Sequence, residues 1–395
     1  MAKLNSITSC TVLSICHMAG MIDLAALPLW IGSLMNYYGL SAPQAGLVVT
    51  AFLAAVVAAS VVFAPLFTRL PRRMVAAAGF ALAAGAFWTT SLHSAPAGSV
   101  VPFVLLHLVA GFGAGAALSV THGTIGRTAN PHRLFGIVNI AMGALAIVMF
   151  ATVPTLIASI GGQILFQAMA ATMGLACLVA LLFFPNGGQA EVAGKPQARP
   201  VSRTPLPRAA WMIILAIVCL ALNQATVFSY VERIGITREY GLETVQLILV
   251  VMGFVNLAPG LFAALLQKRL SPIAVGIAGP ILQALLALTL TGSSSLPLYA
   301  VPAIFYVSLV IFTHTFLFGL LAKIDTTGRA VAATPAMMMF GSAIGPALGG
   351  LIAATIGYHG LGWSVACFAA LAVTAMLLAR KELARSAEAP ALATA

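Results

Sequence analysis

Residues 74 to 126 read MVAAAGFALAAGAFWTTSLHSAPAGSVVPFVLLHLVAGFGAGAALSVTHGTIG and contain no Asp, Glu, Lys or Arg. An α-helix that crosses the hydrocarbon core of a bilayer needs about 20 consecutive apolar residues. The stretch is therefore long enough for two such helices and a short turn between them. It predicts a helical hairpin that crosses a membrane twice and begins and ends on the same side.

Six stretches of this kind divide the chain, each free or nearly free of charge and each bounded by Lys or Arg. They lack the alternation of apolar and polar residues that a membrane β-barrel shows, and a bilayer requires backbone amides to be satisfied within their own segment. The sequence therefore predicts an all-α polytopic membrane protein with twelve transmembrane helices. The stretches are residues 4–68, which Asp23 interrupts, 74–126, 134–190, 209–267, 270–322 and 330–379.

The basic residues predict the orientation of these hairpins. Of the 19 Lys and Arg residues, all except Arg233 and Arg238 lie between the hairpins or beyond them. Loops rich in Lys and Arg face the cytoplasm, so both termini are predicted to be cytoplasmic, in a cell membrane such as the bacterial inner membrane. The net charge of +11 then follows from topology. Scattered cations without an aromatic platform argue against a nucleic-acid partner.

The composition excludes several other classes of protein. The chain is 61% hydrophobic and 7% charged, with a mean hydropathy of +1.06, which excludes an ordinary soluble domain and predicts the lipid bilayer as a partner. It contains no phosphate-binding loop and no paired catalytic carboxylates, and its five cysteines lack metal-ligand spacing. We therefore expect no enzymatic activity, no catalytic residues, no metal site and no cofactor.

A Pro-rich, basic segment at residues 185–208 predicts a cytoplasmic linker. It separates six-helix bundles predicted at 1–184 and 209–380, and a cytoplasmic tail follows at 381–395. Short sequences recur on both sides of the linker at nearly one offset, which indicates an internal repeat. Leu66, Arg69 and Leu70 recur as Leu266, Arg269 and Leu270, and Gly126-Arg127 recurs as Gly328-Arg329. Two parallel six-span repeats are typical of transporters that rock one half against the other.

The loop after the second span, residues 64–73, reads APLFTRLPRR. It resembles the loop pattern G-x-L-x-D-R-x-G-R-[KR] of the major facilitator superfamily, with Thr68 in place of the acidic residue. His107-Leu-Val-Ala-Gly-Phe-Gly matches the fourth-span R-x-x-x-G-x-G of proton-coupled drug and metabolite branches, with His107 at the arginine position. The resemblance implies twelve spans in two six-helix repeats, a small-molecule substrate and a monomer.

Further small residues recur in the eleventh span, where Gly341-x-x-x-Gly345-Pro346-x-x-Gly349-Gly350 has the form of the family's antiporter motif. That motif belongs to the fifth span, so here we expect close helix packing instead.

Two residues are candidates for proton coupling. Asp23 lies near the middle of the first span, where an ionised side chain costs about 2.5–3.5 kcal/mol on insertion scales. Its alternative role is a structural hydrogen bond made by the protonated acid. His107 is the second candidate, because histidine can take and release a proton near neutral pH. The alternative for His107 is a hydrogen bond across the bundle beside the Gly111 and Gly115 stripe.

Polar residues on the seventh and tenth spans are candidates for substrate binding. By family analogy these spans line the cavity with the first and fourth spans. An amide and hydroxyls at helical spacing can orient a ligand, although polar packing between helices explains the same pattern. Trp30 shares a helical face with Asp23 and can stack on an aromatic ligand or anchor the span at the interface. The candidates are Trp30, Asn223, Gln224, Thr226, Tyr230, Tyr306, Thr313 and His314.

Charged residues at the ends of spans are candidates for gating. Glu232 and Arg233 are predicted to end the seventh span and begin a charged outer loop with Arg238, Glu239 and Glu243. On the cytoplasmic side, Asp325 and Arg329 are expected to pair at the start of the eleventh span. The basic residues of the two repeated loops, Arg69, Arg72, Arg73 and Arg269, complete the set.

The sequence thus predicts a secondary active transporter of a small organic solute, coupled to protons and directed to efflux. The alternative direction is proton-coupled or facilitated uptake of a nutrient or vitamin-like compound. An alternative of another class is a non-transporting membrane receptor or scaffold. Because no Lys or Arg lies deep in a predicted span, the solute is expected to be neutral, aromatic, amphipathic or cationic rather than a multiply charged anion.

Overall fold

A computed structural model describes residues 5–63, 66–67, 69–93, 99–185, 206–325, 330 and 334–392. The regular elements in these ranges are all α-helices, and twelve segments are long and apolar enough to cross a membrane. The predicted all-α protein with twelve spans is therefore confirmed. The helices are α1 (Ile7–Gly20), α2 (Asp23–Asn36), α3 (Ala42–Phe63), α4 (Arg72–Leu92), α5 (Val101–Ile125), α6 (Pro131–Ile160), α7 (Gln163–Phe183), α8 (Arg208–Phe228), α9 (Val231–Thr237), α10 (Leu242–Val255), α11 (Pro259–Leu266), α12 (Pro272–Gly292), α13 (Leu296–Ile324), α14 (Thr334–Ile356) and α15 (His359–Leu392).

Three of the spans are interrupted helices. Span 1 consists of α1 and α2, span 7 of α8 and α9, and span 8 of α10 and α11. The others are single helices, so spans 2–6 are α3–α7 and spans 9–12 are α12–α15. The break in span 8 precedes Pro259, which has no N–H for a helical bond. The break in span 1 follows Gly20, where the N–H of Met21 bonds to the carbonyl of His17 at 3.0 Å.

The chain forms two compact units, each with its own core. The first unit contains residues 1–195 and 241–254, and the second contains 196–240 and 255–395. Residues 241–254 fall in the first unit because α10 packs there, with Gln246 Nε2 donating to the carbonyl of Ala151 at 2.7 Å. The bundle boundaries inferred from the sequence, 1–184 and 209–380, differ from these units over that segment and stay a prediction.

Small residues allow the helices of the first unit to pack closely. Helices α3 and α4 lie along α5, and α4 also contacts α7. A side chain built on Gly111 would meet the carbonyl of Phe52, and one on Gly115 would meet the backbone of Val56. The glycine stripe on α5 therefore allows the backbone of α5 to pack directly against the backbone of α3.

The glycine motif of span 11 has the same function in the second unit. Helix α8 packs between α14 and α15. Side chains built on Gly341 and Gly345 would meet the backbone of α8, and one on Gly349 would meet the ring of Tyr230. The predicted role of this motif in close helix packing agrees with these contacts.

Candidate functional site

Asp23 lies at the break in span 1, where α1 has ended and α2 begins. The residue is near the middle of a span that extends from Ile7 to Asn36. Its side chain is 5% exposed, and its Oδ1 atom has no hydrogen-bond partner among the described residues. As the first residue of α2, Asp23 is at the positive end of that helix dipole, which favours a negative charge. The site therefore holds a buried carboxyl in which one oxygen has no hydrogen bond to the described residues.

His107 on α5 is bonded at both ring nitrogens. Its Nδ1 lies 2.7 Å from the carbonyl oxygen of Phe103, and its Nε2 lies 3.0 Å from Nε1 of Trp30. A carbonyl only accepts, and an indole N–H only donates. His107 must therefore be neutral, with its proton on Nδ1 and its Nε2 accepting from Trp30.

Trp30 and His107 lie in a closed aromatic cluster inside the first unit. Both side chains are fully buried. The Trp30 ring meets Phe52 and Phe87 edge-on, with centroids 5.0 and 5.5 Å away, and Phe166 lies 6.4 Å away. These contacts favour the cross-bundle hydrogen bond as the role of His107 and place Trp30 against protein rings rather than at a membrane interface. Proton transfer by His107 and ligand stacking by Trp30 stay predictions.

Substitutions of His107 separate the two roles. His107→Gln keeps an acceptor for Trp30, and we expect proton coupling to survive in it. His107→Leu leaves the buried Trp30 N–H without an acceptor, at a cost of about 1–3 kcal/mol of folding free energy. Thermal unfolding and substrate-driven proton flux in the same preparations check both expectations. Loss of proton coupling in a stably folded His107→Gln protein would show that His107 takes part in proton coupling.

In the second unit, Asn223 is the centre of a buried amide network. Its Nδ2 donates to Gln283 Oε1 on α12 at 3.2 Å, and Gln283 Nε2 donates to the carbonyl of Leu220 at 3.1 Å. The hydroxyl of Tyr306 donates to the carbonyl of Asn223 at 2.9 Å. Span 7 is thereby bonded to spans 9 and 10 within one unit.

The remaining candidates of the second unit also bond inside it, with one exception. The hydroxyl of Tyr230 donates to the carbonyl of Pro346 at 2.9 Å, and His314 Nε2 donates to the carbonyl of Ile217 at 3.2 Å. Thr226 and Thr313 each donate to a carbonyl one turn earlier in their own helix. Gln224 is half-buried and makes no side-chain hydrogen bond to the described residues. These bonds favour polar packing for most of the set, and ligand binding stays a prediction.

We expect Asn223→Ala to destabilise the protein by about 1–3 kcal/mol, because Gln283 then loses a buried partner. Gln283→Ala should cost a similar amount, and the double variant should be less destabilised than the sum, with a coupling energy of about 0.5–3 kcal/mol. Thermal unfolding of the purified variants measures these changes. Gln224→Ala, one residue along the same helix, is the matched control and should stay within about 0.5 kcal/mol of the unsubstituted protein. Additive losses would show that the amide pair is not energetically coupled.

The outer end of span 7 differs from the prediction. Glu232 and Arg233 do not begin a loop, because the short helix α9 continues to Thr237 and belongs to the span. The loop boundary was wrong because charged residues in the last turns of a span resemble a loop in sequence. The Oε2 atom of Glu232 is buried without a hydrogen-bond partner among the described residues, and Glu243 lies in the first turn of α10.

Two arginines lie near an aromatic ring in the loop after span 2 of the first unit. The guanidinium of Arg72 lies 5.3 Å, and that of Arg127 lies 4.7 Å, from the ring centroid of Phe67. Such cation–π contacts stabilise positive charge. Arg73 is half-buried, whereas Arg69 and Arg269 are exposed.

Asp325 is buried, with Oδ2 accepting from the N–H of Ala330 at 2.8 Å. Arg329, its predicted partner, and Thr68 lie outside the described residues. Gating by the charged set therefore stays a prediction.

Sequence reasoning missed three groups of contacts. Gln283 is the one amide in span 9, which was the available signal. Phe67 lies between basic residues of the repeated loop, but nothing in the sequence joins it to Arg127. His17 and His122 face each other at 2.9 Å across 105 residues, and no local pattern predicts such a pair.

Comparison with known proteins agrees with this architecture. The sequence profile of the Major Facilitator Superfamily matches residues 13–324. A search of curated proteins finds no match.

Three solved transporters share the fold at low sequence identity. A bacterial homologue of the human lysosomal transporter Spinster, in an inward-facing and unoccupied conformation, superposes with a TM-score of 0.71 at 14% identity, over 95% of this chain and 97% of that one. The nucleoside transporter NupG gives 0.71 at 13% identity, over 95% and 98%. The inward-open xylose transporter XylE from E. coli gives 0.69 at 16% identity, over 94% and 95%.

The profile covers well over half of the chain, and its family consists of multi-pass membrane transporters of small solutes. The twelve spans and the glycine-packed helices fit that family. The chain therefore belongs to the major facilitator superfamily.

Proposed function

We propose that the protein is a proton-coupled secondary transporter that exports a small organic solute, with Asp23 as the proton site. The observation that carries the proposal is the carboxyl of Asp23, which is buried at the break of span 1 and has one oxygen free of hydrogen bonds among the described residues. Ionisable groups inside a membrane are costly to keep and typically mark ion pathways. A carboxyl that gains and loses a proton changes its charge without leaving the span.

The distribution of cations supports the proposed class of substrate. In the described spans, Lys and Arg occur only within about five residues of an end, as Arg233 does in span 7. A multiply charged anion needs fixed cations in its site. We therefore infer a neutral, aromatic, amphipathic or cationic solute, for which Gln224, the half-buried amide of span 7, is the candidate contact that has no hydrogen bond inside its own unit.

The membrane potential supplies about 2.3 kcal/mol per elementary charge per 100 mV, and one proton per cycle is enough to drive a tenfold gradient. The same residues serve uptake by symport, so direction depends on which ligand states reorient. A receptor or scaffold has no use for a buried carboxyl with one oxygen free of hydrogen bonds among the described residues, which argues against that class. We further infer a monomer in the bacterial inner membrane with both termini in the cytoplasm.

Proteoliposomes that contain a pH-sensitive dye test the proposal. Compounds from the four solute classes are added outside under an imposed pH gradient, and the dye reports proton movement. For an exporter reconstituted in both orientations, a transported compound dissipates the gradient when it moves against the protons. Co-movement of compound and protons would identify symport, and compound movement without a proton signal would contradict proton coupling.

A further inference from the structure

The contact between His17 and His122 joins two helices inside the first unit. His17 lies on α1 and His122 on α5, and His17 Nδ1 is 2.9 Å from His122 Nε2. The ring centroids are 5.1 Å apart, and Phe135 from α6 lies 5.6 Å from His122. His17 is 4% exposed, whereas His122 is half-buried. His17 is therefore buried inside the unit, whereas His122 is partly exposed at the surface of the unit.

Two neutral imidazoles have two N–H groups and two nitrogen lone pairs between them. The N–H···N hydrogen bond that joins His17 to His122 uses one of each. One N–H donates to the facing lone pair, which leaves one N–H and one lone pair on the outer nitrogens, His17 Nε2 and His122 Nδ1. His17 Nε2 is buried and has no partner among the described residues. A further proton from water can add to the outer lone pair, and the bridging hydrogen bond then becomes charge-assisted and stronger.

Two helix ends favour a positive charge at this position. His17 lies in the last turn of α1, and His122 lies in the last turn of α5. Helix C-termini carry partial negative charge and stabilise cations nearby. Each imidazole lies at the C-terminus of its own helix, so both helix ends stabilise a proton that the two rings share.

Each histidine is the titratable neighbour of the other. Helices α4, α5, α6 and α7 pack against α1. From α5, His122 faces His17, and among the described residues of the other three helices no carboxylate or cation acts on either ring. Burial of the pair opposes positive charge on either ring and opposes a second charge most strongly, so one proton is the expected capacity.

We propose that His17 and His122 together form a proton-binding site of the first unit, separate from Asp23. The proposal goes beyond the proposed function, because the pair can take up a proton whether or not transport is coupled to protons. His17 is also bonded to the break of span 1, since its backbone carbonyl accepts a hydrogen bond from the N–H of Met21. A proton on the pair thus places a positive charge beside the turn that leads to Asp23.

Nitrogen NMR of the full-length protein in nanodiscs tests the site without a substrate. Histidine is labelled with ¹⁵N, and spectra are recorded from pH 8 to pH 5. We expect two imidazoles to change together over one transition that accounts for one proton. His17→Asn and His122→Asn, each with a side chain that can still hydrogen-bond, should move the transition of the remaining partner by about one pH unit or more, because the coupled site has been divided.

His93→Asn is the matched control, because His93 follows span 3 and does not contact the pair; its loss should remove one signal and leave the paired transition unchanged. The titration of the unsubstituted protein decides the matter even if a variant fails to fold. The proposal would be overturned if the imidazoles of His17 and His122 stayed neutral down to pH 5, or if the two titrated independently of each other. Loss of transport with a retained paired titration would count against the proposed function alone.

Discussion

Asp23→Asn should abolish transport of the solute against its gradient, down to the level of empty liposomes. The amide has nearly the shape of the protonated carboxyl but cannot release a proton, so the cycle loses its driving step. Exchange of solute should be lost as well in an exporter, because the amide resembles the proton-loaded state, which in antiport crosses the membrane without solute. Exchange that persists in Asp23→Asn would indicate symport. Uphill accumulation and exchange are measured in parallel with a labelled solute in proteoliposomes.

Two controls accompany this measurement. Asp23→Glu keeps a titratable carboxyl and should retain part of the uphill transport. His107→Gln keeps the bond to Trp30 and should retain most of it. Normal uphill accumulation by Asp23→Asn would remove Asp23 from the coupling mechanism.

Gly111→Val should prevent most of the protein from reaching a folded state. The first side-chain atom built on Gly111 collides with the backbone carbonyl of Phe52, which cannot move aside without shifting α3. Overpacking typically costs about 1–3 kcal/mol, and we expect the upper end of that range or more because the obstacle is backbone. The yield of monodisperse protein and its thermal midpoint report the effect.

The matched control is Gly85→Val on α4, in the same unit. A side chain built on Gly85 meets nothing within 4 Å, so this variant should fold with nearly unchanged stability. Equal losses at Gly85 and Gly111 would show that the lost protein reflects insertion into the membrane rather than packing of α5 on α3.

The spans and the position of Asp23 were predictable because membrane insertion leaves a long-range signal in composition. Charge-free stretches gave the twelve spans, and Asp23 lies within its span as predicted. The glycine motif of span 11 predicted close packing because only small residues permit backbone contact. The break after Gly20 was not predicted, because no proline marks it and Asp23, three residues later, was interpreted as a proton site rather than as the start of a second helix.

The partners of polar residues were less predictable because they depend on the packing of distant segments. His107 bonds to Trp30 across 77 residues, and Asn223 bonds to Gln283 across 60. Helical periodicity places a side chain on a face but does not identify the helix opposite. The same limit explains why His122 was missed as the partner of His17.

Infrared difference spectroscopy of the purified protein in lipid can show whether Asp23 takes up the proton. A pH titration of the unsubstituted protein should show the carbonyl absorption of a buried carboxyl that appears as the proton binds. We expect this band to be missing from Asp23→Asn and retained in His107→Gln. Identical titration spectra for the unsubstituted protein and Asp23→Asn would contradict the claim that Asp23 is the proton site.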